Sequence, residues 1–156
     1  MDMILCLTRG GEASYPNQDR AIVLAKERAA KLVFMYVTSV EFLDTTPLPK
    51  VIDFESEMEE MGEFLLCMAQ ERAQKAGISA GAIVRRGVFR QAVKNAIKEH
   101  SATTVMLGSS KKVPGALGAR YIHKLGVELS TEVGVEFIVT QDGEITQVFQ
   151  PEGSDD

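Results

Sequence analysis

The sequence predicts one α/β domain, a mainly parallel sheet covered by helices. Three observations predict it. Short, continuously apolar runs such as Met3-Ile4-Leu5-Cys6-Leu7 read as strands buried on both sides. Between these runs lie segments whose apolar residues recur at helical spacing. The 156 residues, 45% hydrophobic and 25% charged, suit a single soluble domain with a sizeable core.

The elements follow in order. Met3 to Leu7 forms the first strand and stops at Thr8-Arg9-Gly10-Gly11. A helix over about 17–31, capped by Ser14 or Asn17, puts Ile22, Ala25 and Ala29 on one face. Leu32 to Thr38, rich in β-branched and aromatic residues, is the second strand. Residues 39–50 hold Pro47 and Pro49 and read as a loop. In the helix over about 52–76, Phe54, Met58, Met61, Leu65 and Met68 step by four and three, a stripe expected to face the core. Gly77 ends that helix. Ile78 to Arg86 is the third strand, and residues 88–100 form a helix with Phe89, Val93 and Ile97 inward. Thr103 to Leu107 is the fourth strand. A helix over about 119–133 carries Ile122, Leu125, Leu129 and Val133, and Val135 to Thr140 is the fifth strand. Asp142-Gly143 is a hairpin turn signal, and the alternation from Glu144 to Phe149 reads as a short antiparallel strand. The division expected is therefore a main domain over 1–140 and a hairpin strand with an acidic tail over 141–156.

Composition excludes several function classes. No apolar run reaches the length of a membrane span, and no basic stretch precedes the first apolar run, so a cytoplasmic protein is expected. Cys6 and Cys67 sit in no metal-ligand or redox spacing and are expected to be buried, reduced thiols. Aromatic residues are 6% of the chain and mostly at core positions, which argues against nucleic acid binding by base stacking. There is no Walker loop, nucleophile elbow or zinc-protease helix. His100 is expected to close a helix, and Glu55, Glu57, Glu59, Glu60 and Glu63 to line a solvated helix face. No catalytic or metal-ligating residue is therefore assigned. His123 is the best-placed histidine for proton transfer, with no carboxylate expected near enough to orient it.

The net charge of -5 conceals three blocks. Residues 1–71 hold 13 acids and 6 bases, residues 72–127 hold 11 bases against Glu99, and residues 128–156 hold 8 acids and no base. Folding either interleaves these blocks into a mixed surface or leaves an anion-attracting face from the middle one.

Three stretches together carry a family resemblance. "ILCLTRGGEAS" resembles the opening strand and loop of universal stress proteins, and "LVFMYVTS" their second strand, whose end lies near the adenine in nucleotide-binding members. "RRGVFRQAVKNAIKEHSATTVMLGSS" resembles the glycine, helix and fourth strand with its Gly-Ser. The resemblance covers about residues 2–140. It implies a Rossmann-like, five-stranded parallel sheet of order 3-2-1-4-5 with helices on both faces, a homodimer, and a role in stress response. In that order strands 1 and 4 flank the topological switch point, where a ligand crevice opens beyond their carboxyl ends. The candidate ligand residues are Thr8, Arg9, Gly10, Val37, Gly108, Ser109, Ser110, Lys111, Lys112, Arg120, His123 and Lys124.

Nucleotide-binding members of the family carry Gly-2x-Gly-9x-Gly-Ser, which lets backbone N–H groups reach phosphate. Counting from Gly108 puts Lys111 at the second glycine and Tyr121-Ile122 at the Gly-Ser; aligning by Leu125, Leu129 and Val133 puts His123-Lys124 there. Arg9 also stands where ATP-binding members usually have an aspartate. Three readings stay open: a non-catalytic sensor with a cationic crevice for a small anion, an ATP- or AMP-binding, slowly ATP-hydrolysing member with a divergent loop, and an interaction protein with an empty crevice. The dimer interface expected is the fifth strand with the tail strand, through Val135, Phe137, Val139, Ile145, Val148 and Phe149. Whether the tail strand pairs within its own subunit or with its partner's stays open.

Overall fold

The structure, a computed structural model, describes residues 2–9, 12–38, 51–109 and 115–151; of residues 51–58, 109 and 115–119 it describes the backbone only. Continuous apolar runs become strands β1 (Met3–Leu7), β2 (Lys31–Thr38), β3 (Ala80–Arg86), β4 (Thr104–Ser109) and β5 (Glu136–Gln141). Helices α1 (Tyr15–Arg28), α2 (Val51–Lys75), α3 (Phe89–His100) and α4 (Gly115–Glu128) alternate with them, and a π-helical turn, Leu129–Val133, extends α4. The last strand is β6 (Glu144–Phe149). The sheet order is β3-β2-β1-β4-β5-β6, parallel throughout except for the antiparallel β5–β6 pair. The expected five-stranded parallel order with one antiparallel addition is thus present.

Alternation along the strands builds two cores. Leu5, Leu7, Val105, Phe137 and Val139 pack with Val93 and Ile97 of α3, Leu125 of α4 and Leu129 of the turn that extends it. Ile4, Cys6, Phe34, Met106 and Ile138 pack on the opposite face with Ala21, Ile22 and Ala25 of α1 and Leu66, Ala69 and Ala73 of α2. Burial on both faces explains why the strands read as unbroken apolar runs.

Several local expectations are corrected. Ala29 does not lie on the buried face of α1; it is the left-handed cap, at φ 51°, and is exposed. Asn17 does not cap α1 but sits inside its first turn, and Ser14 holds the cap position without a side-chain capping hydrogen bond. The stripe of α2 that meets the sheet is Gly62, Leu66, Ala69 and Ala73, while Met61 and Phe64 are 60% and 66% exposed. A Cβ on Gly62 would lie 2.6 Å from the Tyr36 ring, so the small stripe is the one that lets α2 approach the sheet. Of the methionine stripe, Phe54 and Met58 have side chains outside the described residues. Cys67 is exposed, whereas Cys6 is buried, and burial pushes its thiol up to about 12.

An ion pair at the amino ends of the strands ties α1 to the hairpin. Arg28 Nη1 donates to Glu136 Oε1 at 2.7 Å, and Thr104 Oγ1 and Gln150 Nε2 donate to the same carboxylate. Burial pushes the Glu136 carboxyl up, but these hydrogen bonds and the Arg28 charge outweigh it and hold it below its usual range. The hydrogen bond to Glu136 likewise raises Arg28. A lowered folded value means stability that is present above the unfolded value and lost as pH falls through the folded one. Glu136→Gln should therefore cost about 1–3 kcal/mol at pH 7 and much less once pH falls below the lowered folded value. Urea melts at both pH values check this, and equal losses at both would exclude the charge as the cause.

Candidate functional site

The switch point lies between β1 and β4, which pair from Ile4 with Thr104 to Leu7 with Leu107. Thr8 leaves β1 there, held by its N–H on Met35 O at 3.0 Å. Arg9 follows, exposed and without an ion pair among the described residues. On β4, Gly108 stands one residue past the last β1 pair and opposite Thr140 of β5. Val37 lies two residues past Met35, the last β2 residue paired with β1, so β2 overhangs the end of β1. Gly10, Ser110, Lys111 and Lys112 lie outside the described residues, as does the Ser109 side chain.

The first turn of α1 lies against the carboxyl ends of β1 and β4. Gln18 is 1% exposed; its Nε2 donates to Thr8 Oγ1 at 3.0 Å, and its Oε1 has no hydrogen-bond partner among the described residues. An unpaired buried acceptor is costly, and its position beside Thr8 suits a ligand donor or water. Asn17 lies against Gly108: a Cβ there would come within 2.4 Å of Asn17 Nδ2. The glycine is thus required by the protein's own side chain, independently of any phosphate.

The same turn grips the hairpin. Gly143 N–H donates to Asn17 Oδ1 at 2.9 Å, and Arg20 Nε donates to Gly143 O at 2.7 Å. Both turn residues have positive φ, 51° at Asp142 and 85° at Gly143, as expected for Asp-Gly in a two-residue hairpin. Asn17, Gln18 and Arg20 were not among the expected site residues. Only the Asp-Gly turn carried a local signal; the three side chains gain their roles from tertiary contact.

Of the cations expected at the crevice, Arg9 follows the carboxyl end of β1. Arg120, His123 and Lys124 are exposed on α4. The His123 ring packs edge-on against Phe149 at 5.5 Å, and Phe149 pairs with Phe137, which pairs with Val105. That level is about 10 Å below Gly108 along β4. His123 and Lys124 therefore flank the sheet, beside Arg90 and Glu128, instead of facing the crevice. Much of the remaining basic block is neutralised by acids distant in sequence. Arg72 binds Asp19 at 2.6 Å, Arg86 binds Glu59 at 2.5 Å, and Arg90 and Lys94 meet Glu128 at 3.0 and 3.5 Å. Folding interleaves these parts of the blocks. Among the described residues no group of three His, Cys, Asp or Glu could hold a metal, and no helix is long and apolar enough to cross a membrane.

The expected interface residues divide by depth. Val135, Phe137 and Val139 are buried in the α3–α4 core, and β6 of the same chain pairs along β5. Phe149 turns inward onto Phe137 and Gly126. Ile145 and Val148 are 42% and 46% exposed on the new edge strand.

The model of the universal stress protein family matches residues 1–119. Among solved structures, a protein of the universal stress protein family from Burkholderia pseudomallei is 20% identical, with a TM-score of 0.63 over 90% of this chain and 94% of that one. A universal stress protein in complex with cAMP is 17% identical, with a TM-score of 0.60 over 90% of this chain and 97% of that one. The universal stress protein from Archaeoglobus fulgidus in complex with dAMP is 12% identical, with a TM-score of 0.53 over 94% of this chain and 98% of that one. These likenesses are likenesses of fold. No curated protein matches the chain.

Proposed function

This chain belongs to the universal stress protein family, and we propose that it is a non-catalytic, dimeric sensor module whose β1–β4 crevice holds a small anionic ligand. The observation that carries this reading is the arrangement at the switch point. Thr8, Gly108 and the unpaired Gln18 acceptor converge there, with Arg9 exposed at the rim. α4 begins at Gly115, six residues past the described end of β4. Its first N–H groups supply further donors for an anion. Lys111 and Lys112 lie in the intervening segment and bring point charges that need no glycine cradle.

A nucleoside monophosphate fits this chemistry better than Mg-ATP. The triphosphate cradle lacks two of its three glycines and its serine, and Gly108 already accommodates Asn17. A monophosphate needs fewer backbone donors. Neighbours of the same fold are complexes with cAMP and with dAMP, which supports an adenine monophosphate as the first ligand to test. Dimerisation would use the free edge of β6 with Ile145 and Val148.

Melting in the presence of AMP, cAMP, inorganic phosphate and Mg-ATP tests the site, because a ligand of the folded state raises Tm. AMP-class ligands or phosphate should raise Tm at low salt and lose the effect as salt screens the cations. Arg9→Ala with Lys111→Ala and Lys112→Ala should abolish the shift. An unchanged shift in that variant, or Mg-ATP binding tighter than about 1 μM, would overturn this reading.

A further inference from the structure

We propose that the outward face of α2 docks on the outward face of α4 of a second copy, so that molecules associate head to tail. The two faces are complementary in charge and in the spacing of their exposed residues. Along the side of α2 away from the sheet stand Phe64, Cys67 and Glu71, all exposed, with Phe64 at 66%. Along the corresponding side of α4 stand Arg120, Lys124 and Val127, also exposed, with Val127 at 41%.

The spacings match when the helices run antiparallel. From Phe64 the steps are three to Cys67 and four to Glu71; from Val127, read backwards, they are three to Lys124 and four to Arg120. This register sets Phe64 on Val127, Cys67 on Lys124 and Glu71 on Arg120. Met61, 60% exposed, and Tyr121, 43% exposed, widen the apolar strip at its margins.

Charge selects the partner. α2 carries 7 acids and 2 bases, and one of those bases, Arg72, is held by Asp19. Glu60, Glu63 and Glu71 form no ion pair among the described residues, and neither do Arg120 and Lys124. The two faces cannot meet within one chain, because α2 packs on one side of the sheet and α4 on the other. A contact between different patches is heterologous and leaves both outer faces open for further copies. One helix pair is a small interface, so association on the order of 100 μM is expected.

Cys67 makes the register testable, since Cys6 is buried. Unaltered chain is mixed with a tagged Cys67→Ser/Lys124→Cys variant under mild oxidation. The expected product is the mixed disulfide, in clear excess over either homodimer, and it should vanish when Phe64→Glu is placed in the unaltered partner. Sedimentation should show the unlinked association weakening with salt. Arg120→Glu should weaken it, and Glu71→Arg combined with Arg120→Glu should restore it. Predominant Cys67–Cys67 dimers would overturn the proposal in favour of α2 pairing with itself. Absence of cross-links would overturn it too and leave the acidic face to a basic partner of another kind. Substitutions in β6 leave the mixed disulfide unaffected, which separates this contact from the proposed edge-strand dimer.

Discussion

Removal of residues 142–156 should destabilise the folded subunit by about 3–5 kcal/mol, before any effect on assembly is counted. The reason lies in what β6 covers. Its Phe149 ring lies on Gly126, where an added Cβ would come within 2.6 Å of it. The ring also meets Phe137 at 6.0 Å and His123 at 5.5 Å. Truncating a half-buried phenylalanine accounts for about 2–3 kcal/mol. Loss of the Asn17 and Arg20 bonds to Gly143 adds about 1 kcal/mol each. Phe149→Ala isolates the first contribution and Gly143 deletion the second. Chemical denaturation of the truncated chain decides the matter: a loss under about 1 kcal/mol would mean that β6 adds nothing to the subunit. The truncation also bares β5, so its self-association must be read at fixed concentration by sedimentation.

Much of this architecture was legible because the same physics sets both pattern and fold. Strands buried on two faces cannot alternate, so the runs from Met3, Leu32 and Val135 announced a parallel sheet. Asp142-Gly143 announced the hairpin, because few residue pairs accept two positive φ values in succession. The amphipathic face of α3 was read correctly, with Val93 and Ile97 buried. The same reasoning misassigned α2. Two apolar stripes run along that helix one position apart, and hydrophobicity favoured the larger residues. The sheet instead accepts the smaller ones, because Tyr36 leaves room for Gly62 but not for a methionine. That inversion puts Phe64 and Cys67 into solvent, and no periodicity argument sees it.

The site was less legible than the fold. Strand order located the switch point between β1 and β4, and Thr8 and Gly108 stand beside it. Charge counting overstated its cations. A block with 11 bases suggested a basic surface, but much of it serves as bridges to Asp19, Glu59, Glu128 and Glu132. Such bridges join residues distant in sequence, so block counts report the partners only after folding. His123 failed for a related reason. Its place in the loop count put it near the phosphate position, while the helix turns it toward Phe149.

Gly108→Ala should cost about 2–3 kcal/mol, and the cause is packing against Asn17. An added Cβ would lie 2.4 Å from Asn17 Nδ2 and 2.9 Å from its Cγ. Asn17 cannot swing away without releasing the Gly143 N–H it accepts at 2.9 Å. One small substitution at the switch point thus disturbs the hairpin turn on the far side of α1. Asn17→Ala alone should cost about 1 kcal/mol, the value of that hydrogen bond. Together the two changes should cost less than Gly108→Ala alone, because the second removes the atoms that the first strikes. Denaturant melts of the four proteins of this cycle measure the coupling, and strict additivity would show that Asn17 is not what makes the glycine necessary. The same four proteins separate packing from ligand chemistry. If the ligand also approaches the backbone at Gly108, the double variant recovers stability yet fails to respond to AMP. If Gly108 serves only Asn17, the response to AMP returns with the stability.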